Sequence, residues 1–325
     1  MAHQARRRNM TIVLIINPFA RRNRNGADAG LIREAENLGI ALYRIEDFAA
    51  LPELVTRMMA EAPDMVIVSG GDGTAHAVIS LLGEHDPGEK RPLLALLPHG
   101  TTNVTALQVS LRKPDPRQLR RLAAPAGSRP PTCRKHTVRV ANLTDQPPLH
   151  GFINAVGVIA SGTARCQTNL NQSGWTGNFA VALSMINDLI KKVLSRDPEA
   201  GGLLTPVRMR LTTADGRDYD EDTLTILIST LDRLVLGSSP FWNLAEGALH
   251  VTRVSKNPPD FITNLYRILF GNKHKLPASH FQSFSGDALT LTLDGEVLID
   301  GEFYTASSQV PLEISAGPEF EFVRL

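Results

Sequence analysis

Five consecutive residues, Gly70-Gly71-Asp72-Gly73-Thr74, have the composition of an anion-binding turn. An apolar run at 65–68 precedes them and an apolar helical pattern at 75–82 follows, so they lie between a predicted strand and a predicted helix. Three residues without side chains leave bare N–H groups at the helix N-terminus, where a phosphate can bind. The Asp72 carboxylate would repel a bare phosphate, and we expect it to meet Mg²⁺, a hydroxyl group or a ribose. A tight turn with Asp72 as its cap is the structural alternative.

Two acidic triplets near the C-terminus offer a base for a hydroxyl proton. Asp294-Gly295-Glu296 and Asp300-Gly301-Glu302 are six residues apart in the sequence. Asp-Gly favours the type I′ conformation of a two-residue hairpin, and the apolar residues that flank Asp294-Gly295 suit such a turn. We therefore expect Asp294-Gly295 to be a hairpin turn, which leaves Asp300 and Glu302 for chemistry.

The elements that must position the glycine turn alternate between strand and helix. Apolar patterns predict strands over 10–16, 40–45, 65–68 and 93–97, and helices over 28–37, 51–61, 75–82 and 116–122. Alternation at this spacing is typical of a parallel sheet covered by helices. Ligands bind beyond the carboxyl ends of such strands, and three loops meet there: Asn17-Pro18, the glycine turn and Gly100-Thr101-Thr102-Asn103.

These loops contain groups that suit a nucleotide. Thr74 and Thr101 offer hydroxyl groups to phosphates or to metal-bound water, and Asn17 offers an amide to a ribose or a base. The cluster Arg21-Arg22-Asn23-Arg24 can meet a triphosphate, although a solvated loop is an equally good interpretation of it.

The pattern changes after a linker rich in Pro, Gly and Ala at 123–132. Strand patterns follow at 136–143, 151–158, 207–213, 223–229, 248–254, 288–293, 296–299 and 310–315, with helical patterns at about 178–194 and 260–270. Several of these strands alternate polar and apolar residues, which is typical of antiparallel sheets or a β-sandwich. The sequence therefore predicts an α/β domain with a parallel sheet over 1–133. A β-rich, sandwich-like domain follows over 134–325, and its last strand is free to return to the first domain.

Composition excludes several classes of protein. The chain has 325 residues and a formal net charge of +1, so no global basic charge points to nucleic acid. Two cysteines, Cys133 and Cys166, cannot form a disulfide framework or a four-ligand zinc site. Because no apolar run approaches the roughly 20 residues of a membrane span, we expect a cytoplasmic protein, with contact at a membrane surface left open.

Four motifs occur in a definite order: Asn17-Pro18, the glycine turn, Pro98-His99-Gly100-Thr101-Thr102-Asn103 and the late Asp-Gly-Glu. This order resembles the diacylglycerol kinase catalytic-domain family of lipid kinases, which has sphingosine and ceramide kinases as relatives. The likeness extends from about residue 10 to residue 325. It implies transfer of the γ-phosphoryl group of ATP, with Mg²⁺, to the hydroxyl of a lipid such as diacylglycerol or a sphingoid base.

The resemblance also implies roles for single residues. Glu302 corresponds to the proton acceptor, with Asp300 and Asp72 as competing assignments, and Asp72 would meet the Mg²⁺ that ATP carries. The nucleotide contacts that it implies are Asn17, Pro18, Arg21, Gly70, Gly71, Asp72, Gly73, Thr74, His76, Gly100, Thr101 and Asn103.

The chain also departs from the family pattern. Val104 follows Asn103 where the family usually has Asp, and Glu246 replaces an Asp. Phe241-Trp242-Asn243 stands where some bacterial relatives have acids that hold a structural Mg²⁺, so that site is not matched here.

These departures favour, as an alternative, an inactive nucleotide- or lipid-sensing protein of the same fold. An NAD kinase, which shares the glycine turn, is a weaker alternative. The expected partners are a lipid substrate and a transiently contacted membrane surface, without nucleic acid. A homodimer stays open, and so does the identity of the lipid.

Overall fold

The computed structural model describes residues 10–26, 28–85, 91–100, 104–109, 117–124, 130–157, 205–234 and 238–324. The chain divides into two units: Met1–Arg134 with Phe320–Leu325 form the first, and Lys135–Glu319 form the second. The helical pattern predicted at 178–194, Cys166, and the site residues Thr101 and Asn103 lie outside the described residues.

The first unit is built on parallel strands in the order β2-β1-β3-β4. These strands are β1 (Ile12–Ile16), β2 (Ala41–Arg44), β3 (Met65–Gly70) and β4 (Leu93–Pro98). The helices are α1 (Ala29–Asn37), α2 (Leu51–Ala60), α3 (Asp72–Glu84), α4 (Val104–Val109) and α5 (Gln118–Leu122). The end of the last strand of the chain joins β4 in parallel, through Phe322 opposite Leu94. The prediction of a parallel α/β sheet is confirmed.

Burial on both faces explains why the inner strands of this sheet have almost continuous apolar sequences. Every residue of β3 is buried, and so is all but the first residue of β1 and of β4. On one face, Leu14 and Ile67 belong to the same core cluster as Leu31 and Ala35 of α1. A strand with both faces covered can bury every side chain only if every side chain is apolar or small.

The second unit is mainly antiparallel. Its strands are β5 (Thr132–Ala141), β6 (Leu149–Gly151), β7 (Ile153–Gly157), β8 (Val207–Thr213), β9 (Asp218–Ser229), β10 (Leu249–Ser255), β11 (Phe281–Gly286), β12 (Ala288–Leu293), β13 (Gly295–Ile299), β14 (Glu302–Ala306) and β15 (Leu312–Val323). They pair in the order β14-β13-β7-β9-β8-β12-β15; in addition β10 pairs with β9 and β11, and β5 pairs with β6 and β15. One helix, α6 (Phe261–Phe270), lies between β10 and β11 in the chain.

The apolar core of this unit explains the alternating sequences. Leu289, Leu291 and Leu293 of β12 are buried in one cluster with residues of β8, β9 and β13, while Ala288 and Thr290 are exposed. The predicted β-rich second domain is confirmed. Three strands, β6, β11 and β14, were not predicted as separate elements, and β15 is much longer than predicted.

The expectation that Asp294-Gly295 forms a hairpin turn is wrong. Strand β12 pairs with β8 and β15, whereas β13 pairs with β7 and β14, so the two strands beside Asp294-Gly295 do not pair with each other. The Asp294 carboxylate accepts hydrogen bonds from the backbone N–H and the hydroxyl of Ser308, each at 2.8 Å. The hairpin forms instead at Asp300-Gly301, because Ile299 and Glu302 are directly opposed.

None of the helices among the described residues is both long and apolar enough to cross a lipid bilayer.

Candidate active site

The glycine turn joins the carboxyl end of β3 to the N-terminus of α3. β3 continues to Gly70, Gly71 is the N-cap residue in an extended conformation, and α3 begins at Asp72, three residues earlier than predicted. No side chain caps this N-terminus. An uncapped helix N-terminus leaves N–H groups that attract an anion, as the sequence predicts.

The first two glycines of the turn are needed for close contacts rather than for unusual backbone angles. Neither Gly70 nor Gly71 is among the residues with positive φ. A Cβ on Gly70 would lie 2.6 Å from the Cβ of Thr74, and one on Gly71 would lie 3.2 Å from the Cα of Gly100. Glycine therefore lets the turn pack against both its own helix and the loop after β4.

Asn17 and Thr74 connect the loop after β1 to the first turn of α3. Asn17 is 6% exposed and Thr74 is 3% exposed. The Asn17 amide nitrogen donates to the Thr74 hydroxyl at 2.8 Å, and its oxygen accepts from the backbone N–H of Phe19 at 2.9 Å. This geometry gives Asn17 the task of holding Thr74 in place, and its contact with a ribose or a base stays a prediction.

Asp72 connects the glycine turn to α4. Its partly exposed carboxylate accepts a hydrogen bond from the backbone N–H of Thr105 at 3.0 Å. Thr105 lies in the first turn of α4, next to the Gly100–Asn103 motif in sequence. Asp72 therefore has a structural task in addition to the chemistry predicted for it.

The described residues do not form a metal site from protein groups alone. None of them belongs to a group of three or more His, Cys, Asp or Glu side chains that could hold a metal ion. In the segment 241–243, Phe241 is 3% exposed and its ring lies 5.6 Å from that of His250. A Mg²⁺ ion carried by a nucleotide needs only one or two protein carboxylates, and the contact of Asp72 with such an ion stays a prediction.

A pocket lies beside the ends of β1 and β2. It has a volume of about 460 Å³ and is lined by Pro18, Phe19, Arg24, Arg44 and Glu46. The side chain of Arg24 is fixed by a 2.7 Å hydrogen bond from Nε to the carbonyl of Phe19. This volume is in the range of small-molecule sites, and the pocket lies at the sheet edge where ligands of parallel sheets bind.

Two further residues predicted to contact the nucleotide, Arg21 and His76, differ in their exposure to solvent. Arg21 is exposed, as a phosphate-binding side chain must be, whereas His76 is only 4% exposed. Burial on α3 leaves His76 a role in packing, and a direct contact with a nucleotide stays a prediction.

The second acidic triplet forms the hairpin between β13 and β14. Asp300 and Gly301 have φ angles of 46° and 96°, so both central residues are left-handed, as a type I′ turn requires. The Asp300 carboxylate accepts from the backbone N–H groups of Phe152, at 2.9 Å, and Ile153, at 2.8 Å. A Cβ on Gly151 would lie 3.0 Å from this carboxylate, so Gly151 leaves room for it. Asp300 thus anchors the hairpin to β7.

Glu302 is the first residue of β14 and its side chain is exposed. Two positions further on, Tyr304 lies on the same side of the strand and is partly buried. Burial raises the pKa of the Tyr304 hydroxyl to about 12, with smaller contributions from the negative charges of Glu302 and Asp300. Tyr304, which sequence reasoning missed, therefore stays protonated beside two carboxylates.

Residues 11–130 match the sequence profile of the diacylglycerol kinase catalytic domain. This segment of the chain is therefore similar to the diacylglycerol kinase catalytic-domain family. The matched segment contains the Asn17-Pro18 loop, the glycine turn and the Gly100–Asn103 motif. Comparison with curated proteins gives no match.

Several solved structures share the fold of this chain. A protein of Bacillus anthracis strain Sterne, proposed to be a diacylglycerol kinase, is 16% identical, with a TM-score of 0.63 and 97% of each chain covered. A diacylglycerol kinase structure from the same strain is 14% identical, with a TM-score of 0.59, and covers 97% of this chain and 96% of its own. Yeast NADH kinase in complex with NADH is 8% identical, with a TM-score of 0.50, 98% of this chain covered and 84% of its own. At these identities the likeness shows the fold alone.

In the first unit, a buried polar network lies at the carboxyl ends of β1, β3 and β4. Asn23 is 2% exposed and donates from its amide nitrogen to the Asn17 carbonyl, at 2.8 Å, and to the Ser69 hydroxyl, at 3.0 Å. The Ser69 oxygen lies 2.7 Å from Nδ1 of His99, which is 8% exposed. Sequence reasoning missed this network, because its members come from three distant segments.

His99 is neutral in this network. Burial lowers the pKa of its imidazole to about 4, the charge of Arg22 lowers it further and that of Asp28 opposes the shift. The Ser69 hydroxyl accepts from Asn23 and forms a second hydrogen bond with Nδ1 of His99, whose direction depends on the imidazole tautomer. His99 therefore serves as a neutral hydrogen-bond partner of Ser69 at the end of β3.

Acid should destabilise the first unit through His99. The unfolded chain binds this proton near pH 6.5 and the folded chain only near pH 4, so the stabilisation is complete above pH 6.5 and is lost as the pH falls toward 4. We expect the loss to be about 3 kcal/mol, and we expect His99→Asn, which keeps a polar partner for Ser69 without a titrating group, to flatten the pH dependence. Urea unfolding between pH 4 and 8 measures both.

His85→Asn is the matched control, since His85 is partly exposed at the end of α3. The control should keep the pH dependence of the unchanged protein. If the unfolding free energy of the His99→Asn protein falls with pH as steeply as that of the unchanged protein, His99 is not the responsible group.

Proposed function

We propose that this chain is an ATP-dependent lipid kinase that transfers the γ-phosphoryl group to the hydroxyl of a lipid such as diacylglycerol or a sphingoid base. The observation that carries the proposal is the uncapped N-terminus of α3 at the carboxyl edge of a parallel sheet, with Asp72 in its first turn. The match of residues 11–130 to the diacylglycerol kinase catalytic domain supports the reaction class.

The first unit would bind the nucleotide. The N–H groups at the start of α3 suit its phosphates, and the neighbouring pocket with Arg24 and Arg44 suits the remainder. Mg²⁺ bound with ATP would neutralise charge on the transferred group, and Asp72, in the first turn of α3, is the carboxylate that would hold it. Asn17 keeps Thr74 in place, so the hydroxyl at the first turn of α3 is oriented before any ligand binds.

The second unit would bind the lipid acceptor. Phosphoryl transfer to an alcohol needs a group that takes the hydroxyl proton. Glu302 suits this role better than Asp300, because the Asp300 carboxylate is engaged by two backbone N–H groups while the Glu302 side chain is exposed. A lipid acceptor also implies that the protein meets a membrane surface during turnover.

The direct test is incubation of the purified full chain with radiolabelled ATP, Mg²⁺ and one acceptor at a time. The panel is diacylglycerol, monoacylglycerol, sphingosine and ceramide in mixed micelles, with NAD as a soluble acceptor. We expect label in one of the lipids. ATP binding without transfer to any acceptor would favour the inactive sensor, and label in NAD would favour an NAD kinase.

A further inference from the structure

One buried side chain in the second unit has no structural explanation. Asn154 is 1% exposed, and within the described part of the chain neither its amide nitrogen nor its amide oxygen has a hydrogen-bond partner. A buried amide without partners opposes folding, because it has lost its hydrogen bonds to water. Most buried polar groups are paired, so an exception requires a reason.

Two buried hydroxyl groups of the neighbouring strand β9 form hydrogen bonds within the protein. The Ser229 hydroxyl donates to the carbonyl of Phe152 at 2.7 Å, and the Thr225 hydroxyl donates to that of Val156 at 2.8 Å. Asn154 differs from both, although it lies on β7 beside the same strand, β9. An apolar residue of similar shape, such as leucine, would suit this position better if packing were its only task.

The sheet register places Asn154 in one row with Glu302. Asn154 is opposite Ile299 of β13, and Ile299 is opposite Glu302 of β14. Directly opposed residues have their side chains on the same face of a sheet. Two strand spacings separate Asn154 from Glu302, which is about 10 Å between backbones.

The remainder of the row is apolar. Ile228, on the other side of Asn154, and Ile299 both belong to the buried core of this unit. The row therefore has one amide in apolar surroundings and one exposed carboxylate at its end. A lipid has the same distribution of groups: a few polar atoms in its head, next to apolar chains that can replace apolar side-chain contacts.

We infer that Asn154 is a binding residue for the polar head of the acceptor lipid, with its amide donating one hydrogen bond and accepting another. This inference rests on the proposed function, because it takes Glu302 as the group next to the reacting hydroxyl. Asn154 binds the head at one end of the row while Glu302 receives the hydroxyl proton at the other. The amide stays unpaired without lipid because its partner is the lipid.

The test compares Asn154→Leu with the unchanged full chain. We expect the KM for dioctanoylglycerol or sphingosine, whichever is the better acceptor, to rise about 10- to 100-fold, because two hydrogen bonds are lost. The KM for ATP should stay the same, and the Tm should be equal or higher because an unpaired amide is removed. If Asn154→Leu does not fold, Asn154→Ala removes the same amide and gives the same comparison.

Asn264→Leu is the matched control. Asn264 is also 1% exposed in the second unit, but its nitrogen donates to the Pro259 carbonyl and its oxygen accepts from Arg267, both at 2.8 Å. The control should lower the Tm and leave the KM for the lipid unchanged. Asn154→Leu should thus change the KM for the lipid without lowering the Tm, whereas Asn264→Leu should lower the Tm without changing the KM.

Calorimetric binding of the same lipids in detergent micelles, without nucleotide, separates this inference from the proposed function. Lipid binding that weakens in Asn154→Leu supports the inference even if no phosphate is transferred. Lipid phosphorylation with an unchanged KM in Asn154→Leu overturns the inference, as for an asparagine that holds only an internal water, and leaves the proposed function intact. No binding and no phosphorylation of either lipid overturns both.

Discussion

Asp72→Asn is expected to lower phosphoryl transfer by at least about 100-fold while the protein stays folded. The asparagine oxygen can still accept from the N–H of Thr105, so the connection between the glycine turn and α4 is kept and only the negative charge is lost. A carboxylate that holds a metal-bound nucleotide loses this function with its charge. Initial rates at saturating lipid, together with the unfolding free energy in urea, measure both effects.

Asp64→Asn is the control for this prediction. Asp64 precedes the other end of the same strand, β3, and its partly exposed carboxylate accepts from the backbone N–H of Thr11, also at 3.0 Å. The two substitutions therefore change the same kind of hydrogen bond at opposite ends of one strand. Asp64→Asn should keep normal rates, and a similar loss in both proteins would mean that Asp72 acts through stability alone.

Glu302→Gln is expected to lower the rate of transfer by about 100- to 10,000-fold, as removal of a general base does. The glutamine keeps the size of the side chain, and the position is exposed, so the unfolding free energy should change by less than about 0.5 kcal/mol. The rate with the best lipid of the panel, measured from pH 5 to 9, tests the prediction. Normal turnover in Glu302→Gln would remove Glu302 from the mechanism.

The sister triplet provides the control for Glu302. Glu296 is exposed on β13 and takes part in the same pair of strands, opposite Thr305. Because Glu296 differs from Glu302 in its place along the strands and not in its chemistry, Glu296→Gln should keep normal turnover. A loss in both proteins would show a general effect of surface charge.

Asp300→Asn should behave differently from Glu302→Gln. Asparagine suits the first position of a type I′ turn, but it loses the charge that strengthens the hydrogen bonds from Phe152 and Ile153. We expect a loss of about 1–2 kcal/mol in unfolding free energy. A lower transfer rate with an unchanged unfolding free energy would indicate instead that Asp300 is the base.

The periodic pattern of apolar residues in the sequence was sufficient to predict the architecture. Continuous apolar runs at 65–68 and 93–97 predict strands buried on both faces, and β3 and β4 are such strands. Alternation in 289–293 predicts a strand with one buried face, and β12 is one. These predictions succeed because the direction of the side chains alternates along a strand, so the choice of apolar residues follows which faces of the strand are buried.

The choice between the two Asp-Gly pairs required the tertiary structure. Both pairs have the composition of a type I′ turn, so local preference cannot distinguish them. Only the pairing of β13 with β14 makes Asp300-Gly301 the hairpin, and that pairing depends on contacts across the whole second unit. The carboxylate that anchors the hairpin binds Phe152, 148 residues away in the sequence.

Sequence alone therefore determined the fold class, the glycine turn between β3 and α3, and the position of Asn17, Asp72 and Thr74 at the carboxyl ends of the strands. Only the tertiary structure decided what these residues do: Asn17 holds Thr74, Asp72 holds α4, and Asp300 anchors a hairpin. It alone revealed the Asn23–Ser69–His99 network and the unpaired amide of Asn154. Burial in a helix or strand produces a periodic pattern of apolar residues, which can be recognised in the sequence. A hydrogen bond between distant segments produces no such pattern, so only the folded structure shows it.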